Sequence, residues 1–460
     1  MNAETIEVDY LVIGAGAMGM AFTDVILNET QASVVLVDRN HQPGGHWTVA
    51  YPYVRLHQPS AFYGVNSRPL GSDTIDQTGW NKGLYELATN SEVVAYFDQV
   101  MQQQFLTSGR VQYLPNCHYE GDGRARSLIS EQRYNISATK VVDATYMHVT
   151  VPAIRPPQYA VAEGVACEPP NALPRLQGQY QRYVVVGAGK TGMDACLFLL
   201  KNQVDPDHIT WIMPRDSWIL DRANIQPGAL FANSIGESFA RQTQTLGQAQ
   251  SLAEVFVELE AQGNLIRLDP DITPTMYRCA TVTQMELEQL RRIKNVVRKG
   301  RVTAIDPDSI HLDQGSVPTD ASTLHIDCTA DGLERRAARP VFDRHNITLQ
   351  TVRTCQQVFS GAFIAHIEAA YTDEAQKNEL CTPVPHPDTA EDFLHTSLGN
   401  SLNAVRWTQD ADLSAWLQAA RLDGFTSGDA PPPNPAQLAR LGEATQLAIE
   451  NMQRLVATLN

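Results

Sequence analysis

Two glycine-rich turns of the same type lie in this 460-residue chain. The first, Gly14–Gly19, follows the apolar run Tyr10–Ile13, and the second, Gly187–Gly192, follows Tyr183–Val186. Glycines at this spacing let the pyrophosphate of a dinucleotide approach the backbone and the positive end of the next helix. One such turn is a weak signal, since a tight strand-to-helix turn can also bind nothing. Two with matching flanks predict a protein that holds two dinucleotides, and electron transfer is the usual chemistry of that pairing.

An acidic residue follows the second predicted strand of the first unit. Asp38 lies about 20 residues past the last glycine, where a carboxylate accepts the hydroxyls of an adenosine ribose that carries no phosphate. Gly44 and Gly45 again permit close approach of the chain to a cofactor. The residues predicted to bind this first cofactor are Gly14, Gly16, Ala17, Met18, Gly19, Asp38, Arg39, Gly45, His46, Trp47 and Arg55.

The second turn contains a cation and a hydroxyl, Lys190 and Thr191, but its spacing is not that of a P-loop. At the end of the next predicted strand, Arg215 occupies the position where a carboxylate would favour NAD. Arginine pairs with a 2′-phosphate, so the sequence favours NADPH over NADH. The alternative is that Arg215 is a solvated loop charge beside Asp216. The residues predicted to bind the second cofactor are Gly187, Gly189, Lys190, Thr191, Gly192 and Arg215.

Two βαβ units must position these turns. The predicted elements are a strand at Glu7–Ile13, a helix at Ala17–Asn28, a strand at Ala32–Asp38, an antiparallel meander within Val111–Val142, a second βαβ start from Tyr183 with its next strand at His208–Met213, helices at Ser251–Gln262 and Val282–Val297, and strands within His311–Cys328. The fold class is therefore α/β, with two Rossmann-like dinucleotide-binding domains and a helical C-terminal region. We expect the first domain at 1–178, the second with a helical insertion at 179–300, a return to the first at 301–400, and the helical region at 401–460.

The composition excludes several function classes. The formal net charge of −16 argues against binding nucleic acid or an anionic membrane. The N-terminus has no secretory signal pattern, and no apolar run has the roughly 18 residues that a membrane span needs. Seven scattered cysteines without a CxxC pair predict reduced thiols in the cytoplasm, and they exclude a dithiol redox centre and a zinc ribbon. The expected partner is a small-molecule substrate, with no metal; a homodimer through the last helix stays open.

Taken together, these motifs resemble the flavin-containing monooxygenase group, the class B flavin monooxygenases. The likeness spans residues 6 to about 370 and includes Gly44-Gly45-His46-Trp47, similar to the family's GGxW, and Tyr51-Pro52-Tyr53-Val54-Arg55-Leu56. The resemblance implies FAD in the first domain, NADPH in the second, and hydride transfer to the flavin. Oxygen would then add at flavin C4a to give a hydroperoxide, with no residue acting as nucleophile.

Departures from the family pattern leave the reaction open. The fingerprint FxGxxxH is absent before the second glycine turn, and His57 and Gln58 stand where the family carries an asparagine close to the flavin edge. His57, Gln58 and Asn66 are the candidate catalytic residues, because an imidazole moves protons near neutral pH and the amides supply neutral donors. Packing is the alternative role for each of them.

Two late segments complete the predicted cofactor set. Asp331 belongs to an imperfect copy of the family's ATG-like strand end. Ser360 and Gly361 form a predicted glycine turn that opens a helix and touches the isoalloxazine, although Ser360 could equally be an ordinary helix cap.

Three functions remain after the sequence analysis. The first is an FAD- and NADPH-dependent monooxygenase that acts on a small organic molecule at a heteroatom or an activated carbon. The second is a flavoenzyme on the same scaffold that inserts no oxygen, either a dehydrogenase or a redox-neutral catalyst. The third is a non-catalytic flavin or NADPH sensor that acts through the helical C-terminal region.

Overall fold

The structure is a computed structural model that describes residues 3–330, 332–424 and 435–459, with side chains for all of these except 435–438. Its strands are β1 (Glu4–Ile13), β2 (Val34–Val37), β3 (Gly64–Val65), β4 (Arg68–Pro69), β5 (Val111–Leu114), β6 (Cys117–Gly121), β7 (Arg124–Ser127), β8 (Arg133–Asp143), β9 (Ala160–Val161), β10 (Cys167–Glu168), β11 (Arg182–Val186), β12 (Ile209–Ile212), β13 (Ser217–Asp221), β14 (Leu265–Ile266), β15 (Met276–Val282), β16 (Asn295–Val297), β17 (Val302–Ile305), β18 (Ser309–Leu312), β19 (Gly315–Pro318), β20 (Thr323–Asp327), β21 (Phe342–Asp343) and β22 (Asn346–Thr348). Its helices are α1 (Ala17–Glu29), α2 (Asn90–Val100), α3 (Leu173–Leu176), α4 (Lys190–Lys201), α5 (Ala232–Gln248), α6 (Leu252–Ala261), α7 (Gln284–Leu290), α8 (Gln357–Ala370), α9 (Glu374–Leu380), α10 (Ala390–Thr408), α11 (Ala411–Ala419) and α12 (Pro435–Ala457).

The first sheet has the order β21-β22-β8-β1-β2-β5, and the antiparallel meander β6-β7-β8 extends from it. β1 is parallel to both β2 and β8, so Ile13 is opposite Val37 on one side and Asp143 on the other. All four residues of β2 are buried, as expected for a parallel strand covered on both faces. Helix α1 is buried from Met18 to Leu27 because the sheet and α8 cover it from different sides. We refer to this sheet with α1 and α8 as the first unit.

The second unit is the sheet β10-β20-β11-β12-β16 with the helix α4. Every pairing in this sheet is parallel, and β11 lies between β12 and β20. A separate three-stranded sheet, β14-β13-β15, follows β12 in the chain, and helices α5 and α6 lie between β13 and β14 in sequence. Helix α12 packs against α5 and α10, where Met452 and Leu455 enter the apolar cluster around Phe256.

The predicted fold class is confirmed: two parallel sheets each begin with a strand, a glycine turn and a helix. Strand pairing also bears on the domain limits. β20 pairs with β10 and β11 in the second sheet, whereas β22 pairs with β8 in the first. We therefore propose that the second domain extends through β20, beyond the expected limit at residue 300. The expected helical region at 401–460 is helical over α10, α11 and α12, and residues 425–434 and 460 of it lie outside the described residues.

Two predicted elements were wrong in their bounds. The helix expected at Val282–Val297 is confined to α7, which begins at a capping box formed by Thr283 and Glu286. The chain then leaves the helix and adds β16 to the edge of the second sheet, so tertiary pairing overrides the helical period there. The helix expected to open at Ser360 begins three residues earlier, at Gln357, which places Ser360 and Gly361 inside α8.

The expectation of fully reduced cysteines is contradicted. Cys279 in β15 and Cys355, which precedes α8, form a disulfide across 76 residues of sequence. The sequence gives no local sign of this pair, because the two cysteines are far apart and belong to no CxxC motif. The remaining cysteines are free thiols: Cys117, Cys167, Cys196, Cys328 and Cys381. Among the described helices, none combines the length and apolar character needed to cross a membrane.

Candidate functional site

The first glycine turn forms a tight cradle at the end of β1. Gly14 has a φ of +101°, in the left-handed region that favours glycine. A Cβ on Gly19 would lie 2.0 Å from the Gly14 carbonyl oxygen, so α1 can approach the turn this closely only with glycine there. Gly16 caps α1 without a side-chain hydrogen bond, so the backbone N–H groups of Ala17 and Met18 lie in a first turn that has no side-chain cap. This geometry fits the pyrophosphate of a dinucleotide.

Asp38 closes the same turn from the end of β2. Its Oδ2 accepts a hydrogen bond from the Ala15 backbone N–H at 2.6 Å, and its Oδ1 accepts one from the Asn40 N–H at 2.7 Å. The side chain is buried, and burial raises the pKa of its carboxyl. Asp38 therefore braces the glycine turn at the position predicted for a ribose contact, and Arg39 beside it is exposed.

The Gly44-Gly45 pair packs on the first glycine turn. A Cβ on Gly45, whose φ is +58°, would lie 2.9 Å from the Gly16 Cα. Trp47 donates a hydrogen bond from Nε1 to the Tyr63 hydroxyl at 2.7 Å, and its ring neighbours that of His46. Burial lowers the pKa of His46 to about 4, so this imidazole is neutral at pH 7. Arg55, in contrast, is exposed.

The second glycine turn repeats the geometry of the first. Gly187 has a φ of +129°, and a Cβ there would lie 2.6 Å from the Cys328 carbonyl oxygen at the end of β20. A Cβ on Gly192 would lie 2.2 Å from the Gly187 carbonyl oxygen, which also accepts a hydrogen bond from Trp211 Nε1 at 2.8 Å. Gly189 has no atom within 4 Å of a Cβ position, so the space before α4 is open. This cradle also fits a pyrophosphate.

Lys190 lies in the first turn of α4 and forms an ion pair with Asp194, four residues along the same helix. Each of these side chains is only 12% exposed. Asp194 Oδ2 also accepts a hydrogen bond from the Tyr51 hydroxyl at 2.8 Å, which joins the second unit to the loop that follows α1 and β2. Burial and the charge of Asp194 raise the pKa of Tyr51 well above its usual value, so this phenol stays protonated. Thr191 beside Lys190 is partly buried.

His57 lies close enough to Lys190 and Arg222 to be influenced by both cations. Burial is the first cause that holds the pKa of His57 well below its usual value, and these two charges add to it. Arg222 is 1% exposed and donates from Nε to the His57 carbonyl oxygen at 2.7 Å. Its NH1 also reaches Asn81 Oδ1 at 3.0 Å. His57 is therefore a neutral imidazole near two cations that are themselves paired, Lys190 with Asp194 and Arg222 with Glu286. Gln58 beside it is partly buried.

Other predicted site residues lie in different surroundings. Asn66, in the β3–β4 turn, accepts a hydrogen bond from the Leu422 backbone N–H at 3.3 Å. Ser360 donates to the Gln356 carbonyl oxygen at 2.7 Å and accepts from the Val352 N–H at 3.1 Å. Gly361 packs on α1, since a Cβ there would lie 2.8 Å from the Met18 carbonyl oxygen. Asp331 lies outside the described residues.

Arg215 lies beyond the end of β12, where the sequence placed it, and forms a bidentate pair with Asp388. Its NH1 and NH2 each lie 2.9 Å from a carboxylate oxygen of Asp388. Arg278 and Arg335 also contact this carboxylate, whose side chain is 5% exposed. Nearby, Arg298 pairs with Asp216, the neighbour of Arg215. Three guanidinium groups therefore contact one buried carboxylate beyond the end of β12.

A cavity of about 210 Å³ adjoins this arginine cluster. Tyr146 and Met147, just past the end of β8, line one side of it, and Gln350 and Thr351, just past β22, line another. Ligands of open α/β sheets bind beyond the carboxyl ends of the strands, and this cavity lies there in the first sheet. Arg278 and His386 also line it.

Several residues that contact the predicted ones were not predicted from the sequence. Tyr51 and Tyr53 lay inside a motif noted for the resemblance but were not assigned a role. Asp194 could have been found as an i, i+4 partner of Lys190. Arg222 and Asp388 gave no signal, because their contacts join parts of the chain that are far apart in sequence.

The chain is similar to proteins of mycobacteria. It is 58% identical over 424 residues to the "Uncharacterized protein Rv2000" of Mycobacterium tuberculosis strain H37Rv, an alignment that covers 92% of this chain and 78% of the relative. The "Uncharacterized protein Mb2023" of Mycobacterium bovis gives the same identity and coverage. No family model matches the chain.

Among solved structures, the closed crystal structure of cyclohexanone monooxygenase has a TM-score of 0.50 with this chain and 13% sequence identity. The match covers 97% of this chain and 99% of that one. At this identity the likeness concerns the fold alone: the chain shares the fold of this monooxygenase, in agreement with the resemblance inferred from the sequence.

Proposed function

We propose that this chain, which belongs to the family of the mycobacterial proteins Rv2000 and Mb2023, is an FAD- and NADPH-dependent oxidoreductase of monooxygenase type. Its substrate would be a small organic molecule, oxygenated at a heteroatom or an activated carbon. The observation that carries the proposal is the pair of glycine cradles, each braced so closely that a Cβ on Gly19 or Gly192 would lie within 2.2 Å of a backbone oxygen. The shared fold with cyclohexanone monooxygenase supports it.

The cofactors would divide between the two cradles. FAD would bind the first, because Asp38 lies where a ribose without a 2′-phosphate is recognised. NADPH would bind the second, with Arg215 at the 2′-phosphate. The Arg215 side chain is 35% exposed, so part of it faces the solvent from which a phosphate would approach, and phosphate binding would compete with its pairing to Asp388. When bound, the two cofactors supply hydride transfer and oxygen activation, and the protein supplies binding, orientation and electrostatics.

His57 is the residue that we propose to act in the reaction. A neutral imidazole can donate or accept one hydrogen bond and can transfer a proton. Lys190 and Arg222 lie near it, each balanced by a carboxylate, and their N–H groups would be donors for negative charge that develops in a transition state. Lys190 is held in place by Asp194, which Tyr51 in turn fixes from the first unit. Gln58 would supply a neutral donor next to His57.

Anaerobic reduction followed by admission of air separates the candidate functions. For the monooxygenase, NADPH bleaches the visible flavin absorbance, and air then produces a transient band that matches neither oxidised nor reduced flavin. Immediate release of hydrogen peroxide without such a band would identify a dehydrogenase instead. Flavin that NADPH does not bleach would identify a redox-neutral catalyst or a sensor.

Two variants assign the residue. His57→Asn should keep FAD bound and change the lifetime of the transient band. His41→Asn, at an exposed histidine, is the matched control and should behave like the wild type. An unchanged lifetime in His57→Asn would leave His57 only a packing role.

A further inference from the structure

The Cys279–Cys355 disulfide connects two parts of the fold that otherwise follow different sheets. Cys279 lies in β15, in the sheet that continues from the second unit. Cys355 lies just before α8, the helix that packs on α1 in the first unit. The bond therefore ties β15, in the three-stranded sheet that follows β12, to the segment that leads into the first unit, at a Cα–Cα distance of 6.7 Å.

Both cysteines have an unusual backbone conformation. Their φ angles are +54° and +61°, in the left-handed region that residues other than glycine seldom adopt. The register between β13 and β15 also shifts between Trp218 and Leu220, next to Cys279. Such bulges re-aim a side chain out of the regular sheet. The local backbone thus turns the Cys279 side chain towards Cys355.

The surroundings of the pair suit thiol chemistry. The two Sγ atoms and a ring nitrogen of His386 lie within 4.8 Å of one another. Arg278 precedes Cys279 directly and contacts Asp388 together with Arg335. An imidazole this close can exchange a proton with a cysteine thiol, whereas the charge of Arg278 is balanced by Asp388. Arg278 and His386 also line the cavity of about 210 Å³, so His386 lies between this cavity and the pair.

We propose that Cys279 and Cys355 form a reversible redox site whose co-substrate is a dithiol. A thiolate of the dithiol attacks Sγ of Cys355, the less buried of the two residues, and the S–S bond breaks. Cys279 leaves as a thiolate and takes a proton, with His386 as the exchanging group. The second thiol of the reagent then attacks the mixed disulfide and releases Cys355 as a thiol. In total, two electrons and two protons pass from the dithiol to the pair.

The consequence is a redox-dependent connection between the two units. With the bond formed, the segment before α8 is fixed to β15; with the bond reduced, that segment can separate from the second unit. This proposal goes beyond the proposed oxidoreductase function and does not depend on which cofactor either cradle binds. A protein without flavin could still carry it.

The test measures the pair in the folded protein. Purified protein is treated with dithiothreitol, alkylated with N-ethylmaleimide and mapped by peptide mass. We expect Cys279 and Cys355 to become labelled together, and oxidised dithiothreitol to restore the bond. Hydrogen exchange of residues 349–356 should rise about tenfold on reduction, equivalent to a shift of about 1.4 kcal/mol in the local opening equilibrium.

Two variants complete the test. Cys355→Ser should reproduce the exchange of the reduced protein and show no response to dithiothreitol. Cys117→Ser, at a buried free thiol, is the matched control and should respond like the wild type. A pair that is reduced only after unfolding, or that is found as two free thiols without reductant, would overturn the proposal. Equal exchange in the oxidised and reduced protein would overturn the connection between the units.

Discussion

Two glycines of the second cradle should respond in opposite ways to the same substitution. Gly192 packs α4 onto the turn, and a Cβ there would lie 2.2 Å from the Gly187 carbonyl oxygen. Gly189, three residues earlier, has no atom within 4 Å of its Cβ position, and its φ of −78° and ψ of −178° are open to any residue. Alanine at 192 therefore meets fixed backbone, whereas alanine at 189 points into the space proposed for the pyrophosphate.

The magnitudes separate the two variants. In Gly192→Ala, helix propensity contributes a gain of about 1 kcal/mol, but overpacking against backbone costs about 1–3 kcal/mol. Because the new Cβ lies far below van der Waals distance from a backbone oxygen, the cost outweighs the gain and the unfolding free energy falls. In Gly189→Ala, the unfolding free energy stays level or rises by about 0.4–1 kcal/mol, because the unfolded chain loses freedom. NADPH affinity should fall about tenfold or more, or about 1.4 kcal/mol, since the methyl group blocks the approach of the phosphate to the helix end.

The assay combines urea unfolding with the NADPH concentration that half-saturates flavin reduction. Gly189→Ala should keep wild-type FAD content and stability but require more NADPH. Gly192→Ala should unfold at a lower urea concentration. Gly236→Ala, in α5 with no atom within 4 Å of its Cβ position, controls for the general effect of alanine in a helix. Wild-type NADPH affinity in Gly189→Ala would refute the cradle, and equal stability of the two variants at 189 and 192 would refute the packing argument.

Two further predictions concern stability. Tyr51→Phe removes a 2.8 Å hydrogen bond to the Asp194 carboxylate and should lower the unfolding free energy by about 1.5–3 kcal/mol. As the control, Tyr53→Phe removes a buried hydroxyl that has no hydrogen-bond partner among the described residues, so it should cost little or stabilise the fold. Equal losses of stability in urea unfolding would contradict the role of the Tyr51 hydroxyl. The pKa of His46 is lowered to about 4 in the folded protein, below its unfolded value of about 6.5. This group therefore leaves the unfolding free energy undiminished above pH 6.5, and it lowers that free energy as the pH falls towards 4, by up to about 1.4 kcal/mol per pH unit. His46→Gln should flatten the decline of the unfolding free energy between pH 6.5 and pH 5, and an unchanged slope would exclude this explanation.

Local patterns correctly predicted the two strand, glycine turn and helix units. The strand, glycine turn and helix are close in sequence, and the required backbone conformations leave a direct trace in residue type, as at Gly14 and Gly187. The position of Asp38 just past β2 could also be predicted, because it depends on residues close in sequence. The structure places it where it braces the turn through the Ala15 N–H.

Contacts between distant segments could not be predicted from those patterns. Asp388 neutralises Arg215 from 173 residues away, and Arg222 meets His57 from 165 residues away. The Cys279–Cys355 pair depends on the fold in the same way. Strand β16 was missed because its pairing with β12 decides its conformation, while the sequence around it continues a helical period. Helix α8 begins earlier than predicted, at Gln357, so Ser360 lies inside it and bonds to the Gln356 carbonyl oxygen.

The most direct test of the account is the cofactor that the purified protein releases on denaturation, together with its response to NADPH before denaturation. The account predicts FAD in equimolar amount with the chain, bleached by NADPH in the absence of oxygen. Colourless protein that takes up no added FAD would contradict the first cradle. Bound FAD that neither NADPH nor NADH bleaches would contradict the second.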